Sequence, residues 1–215
     1  PMRWESAIVS DLSCQQNLIR SLDGLARLTG AELWQQVTEE WIGNALQKLR
    51  DDESDLWYWG GHTAWDLGTD QILRGNHELK CVFPYYEYLH RIDPESTSGF
   101  IDAFWHAHIW DWSTLLFNRH GEYESWDRTT RFGKSFDGTD SLPLLENTAL
   151  SFINTGSDLI YSATEAYRLA GDHAPFDWGL RLLSCYEAIR HPNTGLAGYQ
   201  FNHRDPCRVR QSFLG

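Results

Sequence analysis

Apolar residues recur at the spacing of an α-helix along nearly the whole chain, and that period restricts the fold more than any other feature. Leu18, Ile19, Leu22, Leu25, Ala26 and Leu28 fall on one stripe, with Gly30 where such a helix would end. Leu33, Trp34, Val37, Trp41, Ile42, Ala45, Leu46 and Leu49 make a second stripe. A third helix is predicted from about Glu78 to Arg91, with Pro84 kinking or dividing it. Asp93-Pro94 opens a fourth, carrying Phe100, Ile101, Phe104, Trp105, His108, Ile109 and Trp112. Two more follow, at about 156–170 and 175–190.

A faint repeat pairs these helices. Residues 25–37 and 166–178 share the pattern Arg-Leu-x-Gly at a helix end followed by a second helix, and residues 89–101 carry a looser version. Units of this kind stack as αα-hairpins, which curl into a solenoid or close into an (α/α) toroid. Three or so hairpins do not close a toroid, so an all-α domain over 1–215 is expected to be the N-terminal part of a longer catalytic domain. The stretch 121–150 lacks the period and is rich in Gly, Ser, Thr and Asp, as functional loops often are. Residues 191–215 read as loop or short strand.

The formal net charge of −12 argues against nucleic acid or an acidic membrane surface as partner. It would equally repel an acidic sugar unless the site carries its own cations. Aromatics make up 14% of the chain and 11 of them are Trp, more than a core needs. Most are expected to fill helix interfaces, and others suit the stacking of sugar rings. Cys14, Cys81, Cys185 and Cys207 have no zinc-type spacing. No apolar run is long enough to span a bilayer, and "PMRWES" carries no signal peptide, so one is absent, removed or upstream.

Three stretches hold candidate chemistry. In "WYWGGHTAWD" (57–66), Gly60-Gly61 permits a tight turn that presents His62 between Trp59 and Trp65. In "GNHELKC" (75–81), His77, Glu78 and Lys80 cluster at a predicted helix start. In "FNRHGEY" (117–123), Arg119 and His120 are neighbours, and Gly121 permits a turn that aims both at one cleft. Imidazoles with a carboxylate suit Mn²⁺, Co²⁺, Ni²⁺ or Zn²⁺ better than Ca²⁺, which prefers oxygen shells. The plainer reading of Arg119 is an ion pair with Glu122, Glu124 or Asp127. His106 and His108 are two apart and cannot share a helix face, so at least one is structural, as are His90, His173, His191 and His203.

The order of segments is more specific than any one of them. "WGGHTAWD", "NHELK", "FPYYEYLHRIDPE", "FIDAFWHAHIWDWSTLLFNRHGEY", "FINTGSDLIYSATEAYRLAGD" and "HPNTGLAGYQF" together resemble the all-helical (α/α)-toroid pectate lyases, polysaccharide lyase family 2, and their bacterial relatives. The resemblance implies cleavage of polygalacturonate by metal-assisted β-elimination. It makes Arg119 the base and His62, Glu78 and His120 the metal ligands, with Glu87 as the alternative carboxylate. The implied metal is Mn, Co or Ni rather than Ca. Trp65, Lys80, Arg131 and Lys134 become candidates for binding an oligogalacturonate, and a periplasmic or secreted location is favoured.

The C5 proton of a galacturonate is weakly acidic, and its removal builds charge on the carboxylate, which a cation neutralises. Deprotonating a guanidinium at pH 7 costs roughly 7–8 kcal/mol, from a pKa of about 12.5. A nearby divalent cation and burial reduce that cost, and an alkaline optimum is the expected sign of such a base. Two rival readings remain at this stage. One is an (α/α)-barrel glycoside hydrolase with paired carboxylates such as Asp66 and Asp111 or Glu87. The other is a non-catalytic carbohydrate-binding fragment.

Overall fold

The computed structural model describes residues 7–58, 63–74, 83–136, 151–188, 190–196 and 200–201. In chain order the elements are β1 (Val9–Ser10), α1 (Gln16–Thr29), α2 (Glu32–Leu49), β2 (Thr63–Asp66), β3 (Gln71–Arg74), α3 (Tyr86–Ile92) and α4 (Pro94–His108). Then come β4 (Ile109–Asp111), β5 (Leu116–Phe117), β6 (Ser151–Phe152), α5 (Ile153–Ala170), α6 (His173–Ala188) and β7 (Gln200–Phe201). The six helices dominate the described residues, and the strands are short, so the all-α expectation holds at the level of class. The chain divides into two compact units, 1–103 with 122–125, and 104–121 with 126–215.

In the first unit, α1 packs on α2. The turn between them follows from Gly30, which adopts φ +65° and donates its amide to the Ala26 carbonyl at 2.9 Å. Arg91-Ile92-Asp93 ends α3 without glycine. Asp93 stays extended, and its carboxylate then accepts the Ser96 amide at 2.9 Å to start α4. Of the third predicted helix, the described part is α3, which begins only after Pro84; residues 75–82 lie outside the described residues. Trp57 stacks on Phe100 at 4.3 Å and is wholly buried. Asp23 is buried as well and accepts from Tyr85 Oη at 2.7 Å and Arg91 at 3.1 Å, with Arg27 at 2.9 Å. These partners outweigh its burial and lower the Asp23 carboxyl below its usual range, while burial and Asp23 push Tyr85 up to about 12. A small antiparallel sheet, β1-β2-β3, pairs Thr63 with Arg74 and Asp66 with Gln71.

The second unit is built on the α5–α6 hairpin. Gly171 repeats the Gly30 device, with φ +69° and its amide on the Tyr167 carbonyl at 2.8 Å. The Arg-Leu-x-Gly repeat therefore marks two equivalent helix ends. The two helices approach closely where they carry no side chain. A Cβ on Gly156 would stand 1.7 Å from the Tyr186 hydroxyl, and one on Gly179 would stand 2.9 Å from the Ala163 Cβ. Trp178 and Trp105 are buried in this unit, their indoles donating to the Phe132 carbonyl at 3.0 Å and Ser162 Oγ at 3.2 Å. Phe132 belongs to the aperiodic stretch 121–150, so at least that part of the loop is packed.

The sequence period places Ile109 and Trp112 on the fourth helix, and the structure does not. α4 stops at His108, and Ile109–Asp111 becomes β4, paired with β5. The Asp111 carboxylate accepts from the Ser113 amide and hydroxyl and from the Thr114 hydroxyl, and Leu115 turns to φ +56°. This side-chain competition for backbone groups closes a turn that the apolar spacing does not reveal.

Gly156→Ala is expected to lower unfolding stability by about 1–3 kcal/mol, because the buried Tyr186 ring has to move. Gly24, in α1 with open space around its Cα, gives the opposite sign: Gly24→Ala should raise stability by up to about 1 kcal/mol. Urea denaturation midpoints measure both.

Candidate active site

The neighbours Arg119 and His120 lie in the second unit, just beyond β5. Their backbone position is set by Asn118. The Asn118 amide donates to the His108 carbonyl at 3.0 Å, and the Asn118 side-chain oxygen accepts the His120 amide at 3.1 Å. Arg119 Nε donates to His120 Nε2 at 2.7 Å. A neutral imidazole ligates a divalent cation through its one unprotonated nitrogen, so His120 would hold a metal at Nε2 by exchanging its bond with Arg119 for the cation.

Among the described residues, no three His, Cys, Asp or Glu side chains converge as a metal site. The two other expected ligands, His62 and Glu78, lie outside the described residues, as does Lys80. Glu87, the alternative carboxylate, sits in the first turn of α3, its Oε1 3.7 Å from Arg27.

The remaining expected contacts divide between the units. Trp65, in the first, is half-buried on β2; its indole donates to Asp70 at 2.9 Å, and Lys48 lies over its ring at 5.3 Å. In the second, Arg131 is paired with Asp172, and Lys134 donates to Thr130 Oγ1 at 2.8 Å. The carboxylates that a hydrolase would need are used in turns. Asp66 accepts the Gly68 amide at 2.8 Å and the Thr69 hydroxyl at 2.9 Å, and Asp111 holds Ser113 and Thr114.

His106 and His108 have different neighbours, as their spacing requires. His106 stacks on Trp126 at 4.2 Å and also meets Trp112 and Phe132. Burial and then the Lys134 ammonium push it down to about 4. His108 is wholly buried, edge-on to Phe104, with Nδ1 2.7 Å from the Asn118 carbonyl. Burial, with a smaller contribution from His120, brings it to about 4 against the opposing pull of that carbonyl. The link from His108 to Asn118 escapes sequence reasoning, because an imidazole bound to a carbonyl ten residues away leaves no spacing signal.

The family model described as periplasmic pectate lyase matches residues 1–211, and the chain belongs to this family. It is similar to the Pectate disaccharide-lyase of Dickeya dadantii (strain 3937), at 35% identity over 218 aligned positions. That match covers 94% of this chain and 40% of the relative, so the chain spans less than half the relative's length.

Half-buried His106 and buried His108 are both neutral above about pH 4 when folded and ordinary when unfolded. The unfolded state therefore binds more protons below about pH 6.5, and stability should fall as pH drops from there towards about 4. Urea titrations at several pH values should show that slope reduced in His106→Phe; an unchanged slope would contradict the depressed value at His106.

Proposed function

We propose that this chain carries the base and metal ligands of a pectate lyase that cleaves polygalacturonate by β-elimination. The observation that supports it most is the 2.7 Å approach of Arg119 Nε to His120 Nε2, which places the candidate base beside the nitrogen that would take the metal in exchange for this bond. Arg119 takes the C5 proton, the C4–C5 double bond forms, and the glycosidic oxygen on C4 leaves. The proton passes to the guanidine nitrogen that carries none in the neutral base. His120, His62 and a carboxylate, Glu78 or else Glu87, hold a divalent metal, Mn, Co or Ni in preference to Ca. When bound, that metal neutralises the charge building on the substrate carboxylate.

Trp65, Lys80, Arg131 and Lys134 bind neighbouring sugars of the acidic polymer. For Arg131, that role requires exchanging its Asp172 partner for a uronate carboxylate. The αα-hairpins are read as part of an (α/α) toroid. The location is periplasmic or secreted, in line with the family's description; no helix among the described residues is long and apolar enough to cross a membrane.

The lyase product absorbs in the ultraviolet because its new double bond is conjugated with the carboxylate, and a hydrolase product does not. With polygalacturonate, activity should peak at alkaline pH, vanish on chelation and return with Mn²⁺, Co²⁺ or Ni²⁺. Arg119→Lys should reduce kcat by roughly 10²–10⁴-fold, the usual contribution of a positioned base. New reducing ends without ultraviolet absorbance would instead establish hydrolysis.

A further inference from the structure

We infer that His108 and Asn118 form a positioning pair that holds Arg119-His120 in register for proton abstraction, with His108 acting through the Asn118 backbone. The inference rests on the reading of Arg119 as base. Asn118 immediately precedes the dipeptide and is held at three atoms. Its amide donates to the His108 carbonyl at 3.0 Å, its carbonyl meets His108 Nδ1 at 2.7 Å, and its side-chain oxygen accepts the His120 amide at 3.1 Å.

The second of these contacts explains why a histidine stands there. In a regular antiparallel pair, the Asn118 carbonyl would accept a backbone N–H from the opposite strand. Opposite it, however, the chain is still helical. His108 is the last residue of α4, and its own amide belongs to the helix ladder. The ladder is also irregular between Ile109 and Asp111. The imidazole supplies the missing donor. It is fully buried, and Phe104 meets it edge-on at 4.7 Å, which keeps the ring from turning away. An unsatisfied buried carbonyl would otherwise favour a different path for the chain leading into Arg119. Misplacement of a reacting group by about 1 Å can cost on the order of 10²-fold in rate.

The test compares His108→Phe with His108→Asn, whose amide nitrogen stands close to where Nδ1 does. In His108→Phe, amide exchange at Asn118 and His120 should accelerate while α5 and α6 stay protected. Its kcat on polygalacturonate should fall about ten- to hundred-fold with KM little changed. His108→Asn should restore much of both. If His108→Phe does not fold, Asn118→Ala removes the acceptor for the His120 amide alone and should raise exchange at His120 and lower kcat. Wild-type exchange and kcat in these variants would make His108 an ordinary core residue and overturn the inference. So would a loss of kcat that His108→Asn fails to restore. Full activity in Arg119→Lys would instead overturn the reading of the base, while the exchange data would still decide whether the pair orders the dipeptide.

Discussion

Large aromatic side chains can be buried between helices only where the facing surface has room for them. In the second unit that room comes from the meeting of α5 and α6, where Gly156 accepts the Tyr186 ring and Gly179 accepts Ala163. With the helices this close, Trp178 is enclosed and reaches the Phe132 carbonyl, and Trp105 on α4 reaches Ser162 on α5. The end of α4 is thereby tied to the hairpin, and His108 is its last residue. Two missing side chains on α5 and α6 thus lie upstream of the placement of Arg119.

Helices α1, α2, α5 and α6 were legible because each repeats its apolar period over several turns, and the ends of α1 and α5 were marked by glycine; the start of α3 and the end of α4 were not. Gly30 and Gly171 both take the left-handed conformation that glycine adopts without penalty. The strands were not legible. Segments of two to four residues hold too little period, and the turn at Asp111 depends on side-chain oxygens competing for backbone amides. The Trp residues split as their amphipathic rings allow: Trp57, Trp105 and Trp178 are buried, while Trp34 and Trp110 are more than 40% exposed.

The candidate site was legible mainly through resemblance. Adjacent arginine and histidine have many plain explanations, and only the order of long motifs singled the pair out. The structure adds the contact between them, Arg119 Nε on His120 Nε2. It also shows how many of the chain's acidic groups have local work. Asp23 gathers a tyrosine and two arginines, and Asp66, Asp93 and Asp111 each organise a turn or helix start. His62 and Glu78 lie outside the described residues, so the convergence of a full ligand set on His120 rests on the proposal.

The α1–α2 hairpin leaves Leu18, Leu25, Leu28, Leu33, Trp34 and Val37 substantially exposed, Leu28 at 87%. At neutral pH, like charge on a chain of net −12 keeps copies apart despite these greasy surfaces. Acidification towards the pI of about 5.1 removes that protection, as histidines other than His106 and His108 gain charge and the carboxylates then begin to lose theirs. Colloidal stability thus has its own pH limit, separate from folding stability. A preparation that turns cloudy in mild acid would be showing the loss of mutual repulsion between folded molecules before it showed any unfolding.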